Sequence, residues 1–508
     1  MQSNSRTYNS IKNLFFGLGS QVIILILNFV SRTIFIKTLG TEYLGVNGLF
    51  SNILTVLSLA ELGIGNAIIY SMYKPLANGD TGKIVALMNM YKKLYNIIAA
   101  AILTIGLLLV PFLKYLVNTE MAMDRIIVYY LLFLLNSVVS YLLASRTSIL
   151  NADQKMYIVK AYTMVFTVLQ QIVQIVLLYI THNFILYLTI QIIFTFLTNL
   201  YGAIKAHKMY PYLKGKDKLA KAEKKEIFSN IKSIFMYRIG GVVLNNTDNI
   251  LISIIIGTVY VGYYSNYYMV INAITTFTTL IFTSITASIG NLNASSNETR
   301  KYEVFTIINF CSAIVFGFIS ICLMILFNDF IQVWIGKEFI MGIPVVVAIV
   351  LNFYLVGRLN PISIYRDTLG MFRKTRYIFM ITAVINIVLS VILGKLIGLF
   401  GIIIATAIAR IITNRWYEPL VLYKDYFKIN ILNYWKSNFY YVLCTIVNYG
   451  ITYLLINKMM VNTLGDFIVK GALCCVINGV LFIIEFYHQK EFRNLLRRIR
   501  INKSDSEI

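Results

Sequence analysis

Mostly apolar stretches of about twenty residues recur along this chain, at 14–36, 44–70, 94–117, 126–145, 157–180, 184–204, 233–256, 262–289, 303–327, 341–364, 378–393, 396–414, 437–456 and 467–487. A helix of that length crosses the roughly 30 Å hydrocarbon core of a bilayer. Fourteen of them take up most of the 508 residues and leave no connection long enough for a soluble domain. Composition agrees, with 58% apolar and 13% charged residues and a mean hydropathy of +0.72. Soluble domains carry about 25% charge, and polar surface could not cover a core this large. In lipid each backbone polar group must be satisfied within its own segment, so the spans are helices. The sequence predicts an all-α polytopic membrane protein with about 14 transmembrane helices. The first span follows MQSNSRTYNSIKN and has no small-residue cleavage site after it, so it is expected to stay as a helix.

The formal net charge of +23 would suggest nucleic acid as partner in a soluble protein. Here it works instead as a topology record, because Lys and Arg in short loops mark the cytoplasmic side. With the N-terminus inside, 34 basic residues fall on the cytoplasmic side and 6 outside, with Arg32, Arg238, Arg358, Arg410 and Lys470 left in the spans. Both termini are expected in the cytoplasm, and no nucleic-acid partner is expected. The basic stretch KGKDKLAKAEKKE divides the spans six and eight and reads as a solvated linker that favours anionic lipid headgroups. The predicted organisation is a six-helix lobe at 1–204, that linker at 205–232, a second six-helix lobe at 233–414, a connection with helices 13 and 14 at 415–487, and a basic tail at 488–508.

Gly40-Thr-Glu-Tyr-Leu-Gly45 follows the first span and Gly257-Thr-Val-Tyr-Val-Gly262 follows the seventh, 217 residues later. Six spans per half bring both halves into the membrane from the same side, which implies a repeat axis along the membrane normal. Gln21, Asn28 and Arg32 form one stripe on the first helix, and the same offset gives Arg238, Asn245 and Asn249 on the seventh. Such stripes suit a wet cavity between halves; interhelical hydrogen bonding is the plainer alternative, and it accounts better for the asparagines than for the arginines.

Charges at span centres need a partner or a cavity, since each costs about 2.5–3.5 kcal/mol on insertion scales. Arg32 has the alternative of reaching the headgroups, and Arg410 and Lys470 are read as such flank charges. Arg238 and Arg358 are expected in the cavity. Asp248, in Leu-Asn-Asn-Thr-Asp-Asn, has neighbours rich enough in oxygen for Na⁺ or H⁺ coupling. Glu61 is expected either to pair with a cavity arginine or to share that coupling role. Gln170, Gln171 and Gln174 are a further candidate cavity wall, or helix glue. Most of the 36 tyrosines and 32 phenylalanines fit an interfacial belt. The five cysteines lie in apolar runs without metal-ligand spacing, and no P-loop is present, so no cofactor, metal or ATP hydrolysis is expected.

Leu39-Gly-Thr-Glu-Tyr-Leu-Gly-Val-Asn-Gly-Leu-Phe50, Leu57-Ser-Leu-Ala-Glu-Leu-Gly-Ile-Gly-Asn66, Tyr73-Lys-Pro-Leu76, Tyr365-Arg-Asp-Thr-Leu-Gly-Met-Phe372 and Gly398-Leu-Phe-Gly401 resemble motifs of the polysaccharide transporter family of oligosaccharide repeat-unit flippases. That family lies within the multidrug, oligosaccharidyl-lipid and polysaccharide exporter superfamily. The resemblance covers spans one to twelve. It implies a MATE-like pair of six-helix lobes that rock about a central cavity, a bacterial inner membrane, and a cargo of undecaprenyl-diphosphate-linked oligosaccharide for capsule, O-antigen or exopolysaccharide assembly. Polysaccharide polymerase and glycosyltransferases are the implied partners, beside membrane lipids. No motif transfers the family's site residues one by one. Arg32, Arg238 and Arg358 suit the diphosphate chemically, since guanidinium binds phosphate oxygens in a fork. A cation-coupled multidrug antiporter of the same fold is the alternative, disfavoured because a cationic cavity repels cationic drugs. A membrane glycosyltransferase or polymerase is disfavoured because the outer loops are short and carry no acidic motif.

Overall fold

The computed structural model describes residues 2–61, 64–215, 217–295 and 297–494, and among these it contains helices and no strand. The chain forms two compact units, 1–262 and 263–508. The first contains α1 Gln2–Leu39, α2 Thr41–Leu57, α3 Ile64–Asn78, α4 Thr81–Leu109, α5 Leu113–Leu116, α6 Met123–Leu142, α7 Ser148–Ala152, α8 Met156–Thr181, α9 Phe184–Met209 and α10 Lys221–Ile255. The helix α11, Thr258–Ser284, begins in the first unit and continues in the second. The second unit then holds α12 Thr286–Ser295, α13 Glu298–Ile335, α14 Ile343–Gly357, α15 Asn360–Thr368, α16 Phe372–Ile412, α17 Asn414–Leu422, α18 Leu432–Ile456 and α19 Leu464–Phe486.

Eleven helical segments among the described residues are long and apolar enough to cross a membrane, which makes this a multi-pass membrane protein. Fourteen sequence spans and eleven such helices differ for local reasons. The second span is broken, running α2, a 3₁₀ turn at Ser58–Glu61, then α3. On α10 the apolar part is shorter, Ile239–Ile255. Spans eleven and twelve are two helices that follow each other directly within Phe372–Ile412, together labelled α16, and they meet where Ile397 and Gly398 leave helical geometry, Gly398 at φ 66°. A positive φ is open to glycine at little cost, so the Gly398-Leu-Phe-Gly401 motif marks this joint.

Helix ends follow from side-chain caps. Asp80 accepts from the Lys83 N–H at 2.9 Å, Asn183 from Ile185 at 2.9 Å and Asn297 from Arg300 at 2.9 Å. Thr463 and Asp466 form a reciprocal capping box at the start of α19. In the first unit α1 packs on α8, α8 on α9, α4 and α9 on α6, and α2 on α10. Phe50 is fully buried there, edge-on to Tyr130 and Phe133. In the second unit α13 is the central element, covered by α14, α18 and α19 around Phe310, Tyr441, Phe482 and Phe486. Lys470, read from sequence as a flank charge, is buried and pairs with Asp329 of α13 at 2.7 Å, fixing α19 in register.

Candidate functional site

On α1 the polar stripe faces α8. Asn28 accepts a hydrogen bond from the Gln171 amide at 2.6 Å, Gln170 donates to Gln174 at 3.3 Å, and Gln174 donates to the Tyr187 carbonyl at 2.9 Å. One turn beyond Asn28, Arg32 is half-buried and within electrostatic reach of the Tyr187 phenol. Gln21 is half-buried two turns earlier. The glutamines of α8 thus serve as interhelical glue at the asparagine, on the seam that also carries Arg32.

Glu61 occupies the 3₁₀ turn that interrupts the second span. Its carboxylate accepts from the Tyr95 hydroxyl at 2.5 Å and from the Tyr141 hydroxyl at 2.8 Å, and Tyr91 donates to Tyr95 at 2.8 Å. Two phenols, one from α4 and one from α6, therefore converge on one half-buried acid, and Tyr91 backs the first of them. These partners are tyrosines, where the sequence suggested an arginine. Phenol donors lower the cost of a carboxylate in an apolar setting, and such a carboxylate can take up a proton or a small cation.

Along α10, Asp248 and Asn249 are buried and Asn245 is exposed. The Asn249 Oδ1 and the Thr247 hydroxyl have no hydrogen-bond partner among the described residues, so oxygen donors concentrate within three consecutive positions. The Arg238 side chain lies outside the described residues.

Arg358 departs from its expected place in an open cavity. It caps α14 in the second unit and is fully buried. One terminal nitrogen donates to the Asn309 carbonyl at 2.7 Å, and the other to the side-chain oxygens of Asn309 at 3.0 Å and Asn438 at 2.5 Å. The Tyr441 ring lies 5.7 Å from the guanidinium, and Arg415 donates back to the Arg358 carbonyl at 3.4 Å. The reason is physical: a charge at this depth is tolerated when amide oxygens of α13 and α18 take its hydrogens. Nearby, Arg366 pairs with Glu418 at 2.8 Å, both buried.

Asn309, Asn438, Arg415 and Glu418 were absent from the sequence-level candidates. Asn309 stands alone in an apolar run, and that isolation is the signal that could have flagged it; Asn438 follows Lys436 and Ser437 at the start of its span, where nothing local sets it apart. Asn386 is a further case, donating to Ser390 at 3.2 Å and Thr406 at 2.8 Å with all three buried. Among the candidates, the structure joins Asn28 to the α8 glutamines and Glu61 to its tyrosines. Arg358 sits in the second unit, and the others in the first.

The family model described as "Polysaccharide biosynthesis protein" matches residues 10–289, more than half of the chain. No curated protein matches the chain. Among solved structures it is similar to the lipid II flippase MurJ in an inward closed conformation, with 17% identity over 95% of this chain and 100% of that one, at a TM-score of 0.67. It is also similar to a multidrug resistance MATE family transporter of the MOP superfamily, inward-facing, with 15% identity, 77% and 92% coverage and a TM-score of 0.62. The Vibrio cholerae MATE transporter VcmN in its bent form gives 15% identity, 83% and 98% coverage and a TM-score of 0.55. At these identities the likeness establishes a shared, MurJ- and MATE-like fold.

Proposed function

We propose that this chain, which belongs to the polysaccharide biosynthesis protein family, is a flippase that moves undecaprenyl-diphosphate-linked oligosaccharide repeat units from the inner to the outer leaflet. Transport runs by ion-coupled alternating access in a bacterial inner membrane with both termini cytoplasmic, and supplies capsule, O-antigen or exopolysaccharide assembly. The chain carries cargo and catalyses no reaction. One observation carries the reading: a member of a polysaccharide biosynthesis family matches, over 95% of its length, the fold of a protein titled lipid II flippase.

The roles follow from chemistry. Arg32 binds diphosphate oxygens, with Gln21 and Asn28 along the same stripe, and Arg238 with Asn245 and Asn249 is its counterpart on α10. Arg358 has its terminal nitrogens engaged by Asn309 and Asn438, so we give it a positioning role. Glu61 and Asp248 take the coupling ion, H⁺ or Na⁺. The six-helix lobes at 1–204 and 233–414 are the rocking bodies, with 205–232 joining them; glycosyltransferases act before the flip and the polymerase after it.

The test is reconstitution in proteoliposomes. Undecaprenyl-diphosphate oligosaccharide should become accessible to an external sugar-modifying probe only with protein present and faster under an imposed H⁺ or Na⁺ gradient. Gradient-driven efflux of cationic dyes with no movement of the lipid-linked sugar would assign the chain to drug antiport instead.

A further inference from the structure

A cavity of about 1170 Å³ opens in the first unit between the start of α4, the end of α9 and the connection leading to α10, and none of its lining residues belongs to the candidate site above. The connection is a fixed wall. Asn89 of α4 donates to the carbonyls of Gly215 at 3.0 Å and Asp217 at 3.3 Å, and Leu213 and Leu219 are buried. Lys83 of α4 adds an ion pair to Glu223 of α10 at 2.5 Å.

Seven Lys and Arg side chains line this cavity against one carboxylate, Asp217. None of these seven, Lys92, Lys93 and Arg146 among them, has an ion-pair partner among the described residues. So much unpaired like charge in one concave site calls for an anion. Part of the remaining lining is apolar and exposed: Ile97 is 54% exposed, Ile204 47% and Phe228 49%. Lys93 and Ile97 are separated by one turn of α4, and Lys208 and Ile204 by one turn of α9, about 6 Å in each case. On α9 Lys208 lies at the helix end with Ile204 one turn deeper into the span; on α4 Lys93 lies within the helix, directly before the apolar run that starts at Leu94, with Ile97 one turn further along that run. This order of charge then hydrocarbon is the order of an anionic lipid, headgroup then acyl chain.

We infer that this cavity binds the phosphate headgroup of an anionic glycerophospholipid, with an acyl chain laid against Ile97 and Ile204. A soluble phosphate would use the same cations and leave the apolar wall idle. The site is separate from the cargo reading and stands whether or not the chain flips oligosaccharide.

The full-length protein in nanodiscs tests it by thermal melting in pure phosphatidylcholine, in an equal mixture of phosphatidylcholine and phosphatidylglycerol, and in phosphatidylcholine with added inorganic phosphate. Phosphatidylglycerol should raise the melting temperature, and inorganic phosphate should not. The combined variant Lys92→Gln, Lys93→Gln, Arg146→Gln should need at least tenfold more phosphatidylglycerol for the same shift. Lys92→Arg with Lys93→Arg should behave as wild type, as should the surface control Lys424→Gln, Lys436→Gln, Lys490→Gln. An equal shift from inorganic phosphate would make the ligand a soluble anion and overturn the lipid assignment. Equal loss in the surface control would reduce the effect to general surface charge, and an unchanged response in the cavity variant would also refute it. Should the cavity variant fail to fold, photoactivatable phosphatidylglycerol on the wild-type protein decides: crosslinks must concentrate at 86–97 and 203–208, and labelling confined to other segments defeats the proposal.

Discussion

Gly45 of α2 and Thr258 of α11 meet so closely that a methyl group on Gly45 would overlap the Thr258 carbonyl. The reciprocal holds at Gly262, where an added methyl would come within 2.6 Å of the Thr41 carbonyl. The second and sixth residues of the two Gly-Thr-x-Tyr-x-Gly motifs therefore exchange partners, as a two-fold relation between repeats generates. Thr258 is held from the other side as well, its N–H donating to the Asn118 carbonyl at 2.9 Å and its hydroxyl lying 2.8 Å from Ser253. The motif's glycines permit backbone to approach backbone, and small residues at membrane helix contacts serve that end.

Gly45→Ala should accordingly destabilise the protein by about 1–3 kcal/mol, the range for overpacking a tight contact. Gly262→Ala should follow in the same direction. Gly241→Ala on α10 has nothing within 4 Å of the added methyl and should be neutral or stabilising, by up to about 1 kcal/mol. Thermal melts of the three purified variants check the ranking, and a Gly45 variant as stable as the Gly241 variant would contradict it.

Glu61 holds two phenols, and its variants should separate structure from coupling. Removing the acid with Glu61→Ala leaves the Tyr95 and Tyr141 hydroxyls without their acceptor, at about 1–3 kcal/mol for each stranded group. Glu61→Gln keeps an acceptor oxygen and should retain most of that stability. If Glu61 takes the coupling ion, the Gln variant should fold, bind cargo and lose the acceleration by an ion gradient. A Gln variant that responds to the gradient like wild type removes Glu61 from coupling and leaves Asp248 as the candidate.

The spans were legible because lipid demands one long apolar run per crossing, and that demand is local in sequence. The joints at Gly40 and Gly257 were legible for a similar reason, since the motif repeats intact, and both glycines adopt positive φ, 88° and 141°. Side-chain partners were not legible. Glu61 reaches Tyr95 and Tyr141, 34 and 80 residues away, and Arg358 reaches Asn309 and Asn438, 49 and 80 residues away. A single polar residue in an apolar run says that a partner exists without saying which helix supplies it. The stripe on α1 shows the limit well: its period was readable, but that Gln171 of α8 would meet Asn28 depended on how two helices pack.

The Lys470–Asp329 pair offers a test of α19 docking. Lys470 keeps 8% of its side-chain exposure and Asp329 23%, so the pair is only partly desolvated. Lys470→Met should cost about 2 kcal/mol, below the 3–5 kcal/mol typical of breaking a fully buried pair. Adding Asp329→Leu removes the stranded acid and should restore at least half of the loss. A double-mutant cycle of melting temperatures reads this, and two additive single effects would show that the pair does not couple the helices.

Arg358 and Arg32 should fail in different ways when altered. Three hydrogen bonds tie Arg358 to Asn309 and Asn438 in a site with no exposure, so Arg358→Met strands amide oxygens on two helices and should cost about 3 kcal/mol or more. Lysine has no planar fork and puts its donors on one nitrogen, so it cannot reproduce the contacts made by the two terminal nitrogens of Arg358, and Arg358→Lys should also lower stability. The expected signature is a reduced amount of protein in the membrane, with polysaccharide falling in proportion. Arg32 is half-buried on the α1 seam and should tolerate Arg32→Gln with normal membrane levels; if it holds the diphosphate as proposed, flipping drops at least tenfold, because a neutral amide cannot replace a bidentate guanidinium contact. Immunoblots of membrane fractions beside surface polysaccharide from the same cells distinguish the two. Normal Arg358→Met protein with no polysaccharide would move Arg358 to the cargo site, and full polysaccharide from Arg32→Gln would remove Arg32 from it.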